Sequence, residues 1–163
     1  MDVKRLYDGA VLERTKDEPY YTGAVDVKRF NDEFWVYYTS GSEWKLIDGN
    51  PEIFYHIKWA RSDDGIDWER SNVTCIPPKH EYEATARPSV LFNKGKFEMW
   101  YSKRDLRAFR EDPRKGYFAG HAVSDDGRNW ARRDNEIGLE PSNEDWDSNA
   151  IAYPYVINVG KRV

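Results

Sequence analysis

Ala86-Arg87-Pro88-Ser89-Val90-Leu91-Phe92-Asn93-Lys94-Gly95-Lys96-Phe97-Glu98-Met99-Trp100-Tyr101-Ser102 reads as two strands around a glycine turn, and the chain carries this pattern three times. Upstream, Ala24-Val25-Asp26-Val27-Lys28-Arg29-Phe30, a turn at Asn31-Asp32 and Glu33-Phe34-Trp35-Val36-Tyr37-Tyr38 have the same build. Downstream, Ala152-Tyr153-Pro154-Tyr155-Val156-Ile157-Asn158-Val159-Gly160-Lys161 begins it again. The alternation of apolar side chains in each half is that of strands covered on both faces.

The second half of each unit repeats more closely. Ser62-Asp63-Asp64-Gly65-Ile66-Asp67-Trp68 returns as Ser124-Asp125-Asp126-Gly127-Arg128-Asn129-Trp130, and at nearly the same offset Phe34 returns as Phe97 and Pro88 as Pro154. Self-similarity of this kind marks solenoids, propellers or arrays, and the period exceeds the ~40–50 residues of common propeller repeats by enough for a four-stranded blade plus a sizeable loop. The expected fold is therefore all-β, a β-propeller of four-stranded antiparallel blades in one domain over residues 1–163. Its repeats span about 11–73, 74–136 and 137–163, which makes two full blades and the start of a third. A propeller is stabilised by closing its ring, because an open ring exposes strand edges and an unburied blade face. Two blades and a fragment are thus expected either to associate as copies, a homo-oligomer, or to belong with a missing remainder of the propeller.

Composition narrows the partners. With 25 basic and 29 acidic residues, a formal charge of −4 and no charge blocks, the chain gives no reason to expect nucleic acid or an anionic membrane. Cys75 stands alone, which excludes an internal disulfide framework and suits a packed side chain. No apolar run has the length of a membrane span, and Met1-Asp2-Val3-Lys4-Arg5 lacks the apolar core of a signal peptide, so the expected compartment is the cytoplasm. No metal spacing, nucleophile elbow or phosphate loop is present, and no cofactor is expected. The 7 Trp, 11 Tyr and 7 Phe serve either strand packing or stacking on sugar rings.

The Asp-Asp-Gly turns have a structural reason, since Asp carboxylates accept nearby backbone N–H groups and glycine supplies positive φ. Ser40 to Pro51 reads as a polar loop. Lys103 to Lys115 reads as a longer one with six basic and three acidic residues, either a solvated rim or the lining of a site for an anionic glycan.

Arg87-Pro88-Ser89-Val90, then Gly95-Lys96-Phe97-Glu98-Met99-Trp100-Tyr101-Ser102, then Ala122-Val123-Ser124-Asp125-Asp126-Gly127 with Trp130 three residues on, resembles the five-bladed β-propeller glycoside hydrolases, the arabinanase, xylosidase and invertase-like superfamily. The likeness runs through nearly the whole chain, as about half of a full propeller. It implies hydrolysis of a glycosidic bond by two carboxylates around a central cavity, one protonated to serve the leaving oxygen and one ionised. Gly23-Ala24-Val25-Asp26-Val27 is similar to the family's Trp-Ala-Pro-Asp-Val strand, which makes Asp26 the first candidate. Alternatively, Asp26 caps the strand or pairs with Lys28 or Arg29. Glu83, just ahead of the next inner strand, is the candidate general acid. The hydrolases carry that acid directly before a Gly-Pro or Cys-Pro, where this chain has Ala86-Arg87-Pro88, and the third unit sets Asn149 against Glu83.

Arg87 and Tyr153 correspond, one residue before the strand proline, and are expected to face the channel. Arg87 suits a carboxylate or phosphate on a sugar, or else braces a backbone carbonyl. Trp35 and Tyr101 are the candidate channel aromatics. His56 and His121 are not equivalent in the repeat and read as structural hydrogen-bonders. Three functions follow: a glycosidase with Asp26 and Glu83 as its pair, a non-catalytic carbohydrate-binding propeller using Arg87, Tyr153, Trp35 and Tyr101, or a partial propeller that needs association to close.

Overall fold

A computed structural model describes residues 4, 5 and 7–160. Lys161, the expected end of the third repeat pattern, lies outside the described residues. The first module is a sheet in the order β1 (Tyr21–Phe30), β2 (Glu33–Ile47), β3 (Asn50–Ser62), β4 (Glu69–Arg70). The second repeats it as β5 (Glu83–Asn93), β6 (Lys96–Asp105), β7 (Phe118–Ser124), β8 (Ala131–Arg132). Every pairing is antiparallel. The expected all-β class and the two four-stranded antiparallel sheets are present; the only helical pieces among the described residues are single 3-10 turns at Pro113–Lys115 and Asp134–Glu136.

Period-two alternation explains how the sheets meet. Trp35 and Tyr37 of β2 and Ile57 and Trp59 of β3 face the second sheet and share one buried cluster with Val90, Phe97, Met99, Tyr101 and Ala122. Val36 and Tyr38 point the other way, into a smaller cluster with Ala60 that Leu12 and Trp68 cover. Trp35 lies parallel to Phe97 with ring centroids 6.0 Å apart, and Tyr37 donates its hydroxyl to the Gly127 carbonyl at 2.8 Å. Burying rings of this size contributes about 1.5–3 kcal/mol each, so this inter-sheet layer is the main source of stability.

The turns behave as expected. Ser62 Oγ accepts from the Gly65 N–H and Asp64 from the N–H groups of Ile66 and Asp67, and Ser124 and Asp126 do the same one module later. Desolvation raises the pKa of the Asp126 carboxyl, but these bonds outweigh it and hold the group well below its ordinary value.

Two expectations are corrected. Ser40 to Pro51 is not a loop: β2 and β3 continue as a long hairpin, with a register shift between Gly41 and Glu43 and a positive-φ turn at Asp48-Gly49. Its Ile47 and Phe54 are buried against Ala84 and Leu106 of the second module, and that burial is what stabilises the extension. The third unit, expected to start a strand at Ile151–Ile157, forms no ladder among the described residues. It lies along the second module instead, donating the Ile151, Tyr153 and Val156 N–H groups to the Tyr117 carbonyl, Ser102 Oγ and Ser89 Oγ.

Candidate functional site

The first strand of each module breaks at the same place. In β1 the pairing jumps between Gly23 and Asp26, and in β5 between Ala86 and Ser89, so that Ala24-Val25 and Arg87-Pro88 bulge out of their ladders. The first bulge residue is left-handed in both, with φ of 48° at Ala24 and 53° at Arg87, and Tyr153 in the third unit has φ of 59°. None is glycine, and this conformation costs roughly 1–3 kcal/mol per residue, so something must hold it. At Arg87 and Tyr153 side chains of the preceding module do so: Thr39 Oγ1 accepts from the Arg87 N–H at 2.9 Å, and Ser102 Oγ accepts from the Tyr153 N–H at 2.8 Å.

A bulge re-aims the side chains it carries. Ala24, Arg87 and Tyr153 converge on one hollow with two lobes. One, of about 200 Å³, is walled by Tyr21, Thr39, Tyr55, Ala86 and Tyr117. The other, of about 210 Å³, is walled by Val25, Pro88, Pro154 and Tyr155. Arg87 and Tyr153 belong to both and form the waist, with the guanidinium carbon 4.2 Å from the Tyr153 ring centroid. Tyr117 meets Tyr153 at 5.5 Å and Tyr21 meets Tyr55 edge-on at 5.3 Å. Thus Arg87 and Tyr153 come together, as their matching places before the strand prolines lead one to expect.

Asp26 sits beside this hollow but turns its carboxylate into the protein. It is buried, 2.9 Å from Lys28 Nζ, and Oδ2 accepts the Val90 N–H at 2.5 Å. Ser89, its counterpart, accepts the Val156 N–H at 3.0 Å. The position is therefore a clasp from the first strand of each module to the unit that follows, and in the first the clasp is an acid.

Glu83 is in a different place with different partners. Arg132 on β8 gives it two bonds, at 2.6 and 2.9 Å, and the Lys79 N–H a third at 2.6 Å. Burial pushes its pKa up, but these donors outweigh burial and hold the carboxyl below its ordinary value of 4.5. It is thus ionised, the opposite of what a general acid requires. The repeat explains it: Glu18 of the first lead-in loop pairs with Arg70, the counterpart of Arg132, and accepts the Tyr38 hydroxyl. In the second module Tyr101 donates to Asp134 at 2.6 Å, and Arg132 binds that carboxylate too.

Trp35 and Tyr101, expected in the channel, are both buried in the inter-sheet cluster instead. Their strand positions face the neighbouring sheet, and burial together with Asp134 raises the Tyr101 hydroxyl far above its usual range, so it remains a donor. Of the histidines, His121 lies 3.2 Å from Glu98 and against Trp100, and burial lowers the pKa of His56. The basic stretch expected to be a loop from Lys103 begins instead as strand, since β6 runs to Asp105, and from that strand Arg104 lies behind the site over the rings of Tyr55, Phe109 and Tyr117, at 5.8, 3.9 and 5.2 Å. The wall tyrosines Tyr55 and Tyr117 are the residues that sequence reasoning missed, although they stand at the same repeat offset as Ser62 and Ser124 and that offset could have found them. Among the described residues, no three His, Cys, Asp or Glu side chains gather to hold a metal ion, and no helix is long and apolar enough to cross a membrane.

Comparison with solved structures places this geometry. A family 117 glycoside hydrolase from the marine bacterium Zobellia galactanivorans, Zg3597, superposes with a TM-score of 0.68 over 88% of this chain and 47% of its own, at 21% identity. A second glycoside hydrolase gives 0.69 over 91% and 42%, at 17% identity. The chain has a glycoside hydrolase-like fold. At these identities the likeness is one of fold alone. In sequence, the uncharacterized protein MT1551 of Mycobacterium tuberculosis is 30% identical over 124 residues, which are 76% of this chain and 38% of that protein. The chain thus spans well under half the length of the curated relatives it matches. No family model matches.

Proposed function

We propose that the chain is the carbohydrate-binding part of a glycoside hydrolase-like β-propeller and takes a sugar in the hollow at Arg87 and Tyr153. The observation that carries this reading is the repeated bulge: three successive units turn a strained, non-glycine residue toward one cavity walled by tyrosines. Strain held in place by neighbouring side chains gathers at functional sites, and aromatic walls with a few polar groups suit sugar rings. Neither lobe is lined by a carboxylate, so recognition rests on Arg87, Tyr153, Tyr117, Tyr55 and Tyr21.

A ring of more modules than this chain carries fits the same reading. The matched stretch is as long as two repeat offsets and makes up 38% of the mycobacterial relative, so about five such modules would fill that protein. Glycosidic hydrolysis is the second reading, and it rests on the sequence position of Asp26, where the hydrolase resemblance expects an acid, because the carboxylate itself is engaged by Val90 and Lys28 and enters neither lobe.

The test is a panel of neutral and acidic oligosaccharides, read by ligand-detected NMR for binding and by reducing-end release for cleavage. Binding that Tyr153→Ala removes and Asp26→Asn retains is the expected result. Reducing-end release that falls with Asp26→Asn would move the assignment to hydrolysis, and binding indifferent to Tyr153→Ala would remove the hollow from it.

A further inference from the structure

Charge at the hollow narrows the sugar, given the binding reading above. The protein as a whole is acidic, with a formal charge of −4, yet among the described residues the one charged side chain that lines the hollow is Arg87. Arg87 is exposed, and its guanidinium has no carboxylate partner among the described residues; its face rests on Tyr153. Behind the tyrosine wall, Arg104 and Arg110 share the single carboxylate of Glu52, which leaves one positive charge unbalanced. Arg104 is itself buried, and its Nε meets no acceptor among the described residues. Asp26, the acid beside the hollow, is neutralised by Lys28.

We propose that the hollow binds an anionic sugar, a uronate, whose carboxylate is held by Arg87 while its ring lies against Tyr153 and Tyr117. A planar guanidinium binds a carboxylate through two parallel N–H bonds, and stacking on Tyr153 fixes the plane in which that fork opens. Each lobe is smaller than the ~300–1,000 Å³ of a drug-sized pocket and suits one sugar ring. Two lobes flanking the Arg87–Tyr153 waist therefore fit a dimer, one ring in each lobe and the carboxylate at the waist. The unbalanced charge of Arg104 makes the wall attractive to the same anion without touching it.

Isothermal titration of the chain with digalacturonate, with the neutral galactose dimer of the same linkage and with its sulfated form tests this. Digalacturonate is expected to bind about tenfold or more tighter than the neutral dimer, as charge-assisted bonds do over neutral ones, and the gap is expected to narrow in high salt. Arg87→Gln should abolish the preference, and Arg87→Lys, which keeps the charge but not the fork, should retain only part of it. Both variants keep the backbone N–H that Thr39 holds, and an unchanged Tyr153 amide signal shows that the hollow is intact. Equal affinity for acidic and neutral dimers, or a preference that survives Arg87→Gln, overturns the proposal. Tighter binding of the sulfated dimer overturns the carboxylate assignment. No binding of any dimer contradicts the sugar-site reading itself, a result distinct from loss of acid preference alone.

Discussion

Replacing Glu83 with glutamine separates a structural carboxylate from a catalytic one. The Glu83 and Arg132 side chains are 8% and 11% exposed and share two hydrogen bonds, and Arg132 also holds Asp134. Removing one partner of a buried pair costs about 3–5 kcal/mol, because the remaining charge is left uncompensated. Glutamine keeps one acceptor oxygen, so the lower end, about 3 kcal/mol, is expected. At roughly 2–4 °C per kcal/mol for a chain of this size, the midpoint should fall by about 6–12 °C in a thermal melt followed by circular dichroism. Glu69→Gln serves as the control: its pair with Arg61 is 70% and 44% exposed, solvent screens it, and the midpoint should stay close to that of wild type.

The same pair sets a pH dependence. The folded-state pKa of Glu83 lies below its ordinary 4.5, so its contribution is complete above about pH 4.5 and is lost as pH falls through the folded value. The gap between wild type and Glu83→Gln should therefore be constant from about pH 7 to 5 and shrink in more acidic solution. A variant that melts with wild type at neutral pH, or a gap that widens on acidification, refutes the structural role.

Asp26→Ala strands the Val90 N–H, which is fully buried, and should cost about 1–3 kcal/mol in urea unfolding, whereas Asp26→Ser, copying Ser89, should recover part of that loss. Gly120→Ala places a Cβ about 2.5 Å from the Tyr101 ring and should destabilise by about 1–3 kcal/mol in the same assay. Cys75 is buried and its thiol is pushed far above the usual range by desolvation, so it should resist a thiol reagent in native buffer and react at once in denaturant.

Much of this is legible in the residues, for reasons that also mark the limits. The repeat delimits the modules because Ser62 and Ser124 close identical turns, and Arg87 and Tyr153 can be picked out because the prolines after them share a register. Trp35 and Tyr101 are misplaced by the same reasoning because alternation says that a strand has two covered faces without saying what covers them. The bulge residues Ala24 and Arg87 face the hollow together with Thr39 and Tyr55 from regular strand positions, whereas Trp35 and Tyr101 face the neighbouring sheet. The hairpin beyond Ser40 is hidden because Glu43 and Lys45 look like loop residues until Ile47 and Phe54 find Ala84 and Leu106. Glu83 looks catalytic because its partner, Arg132, lies on the far strand of the module, well separated in sequence.

The most direct measurement is amide chemical-shift mapping of the chain as an oligosaccharide is added. Because the Arg87 and Tyr153 N–H groups are pinned to Thr39 and Ser102, their signals should be sharp and should move together with those of Tyr117 and Tyr55. Shifts centred on Glu83 and Arg132, or no shift at the two pinned amides while the sugar binds, would contradict the account.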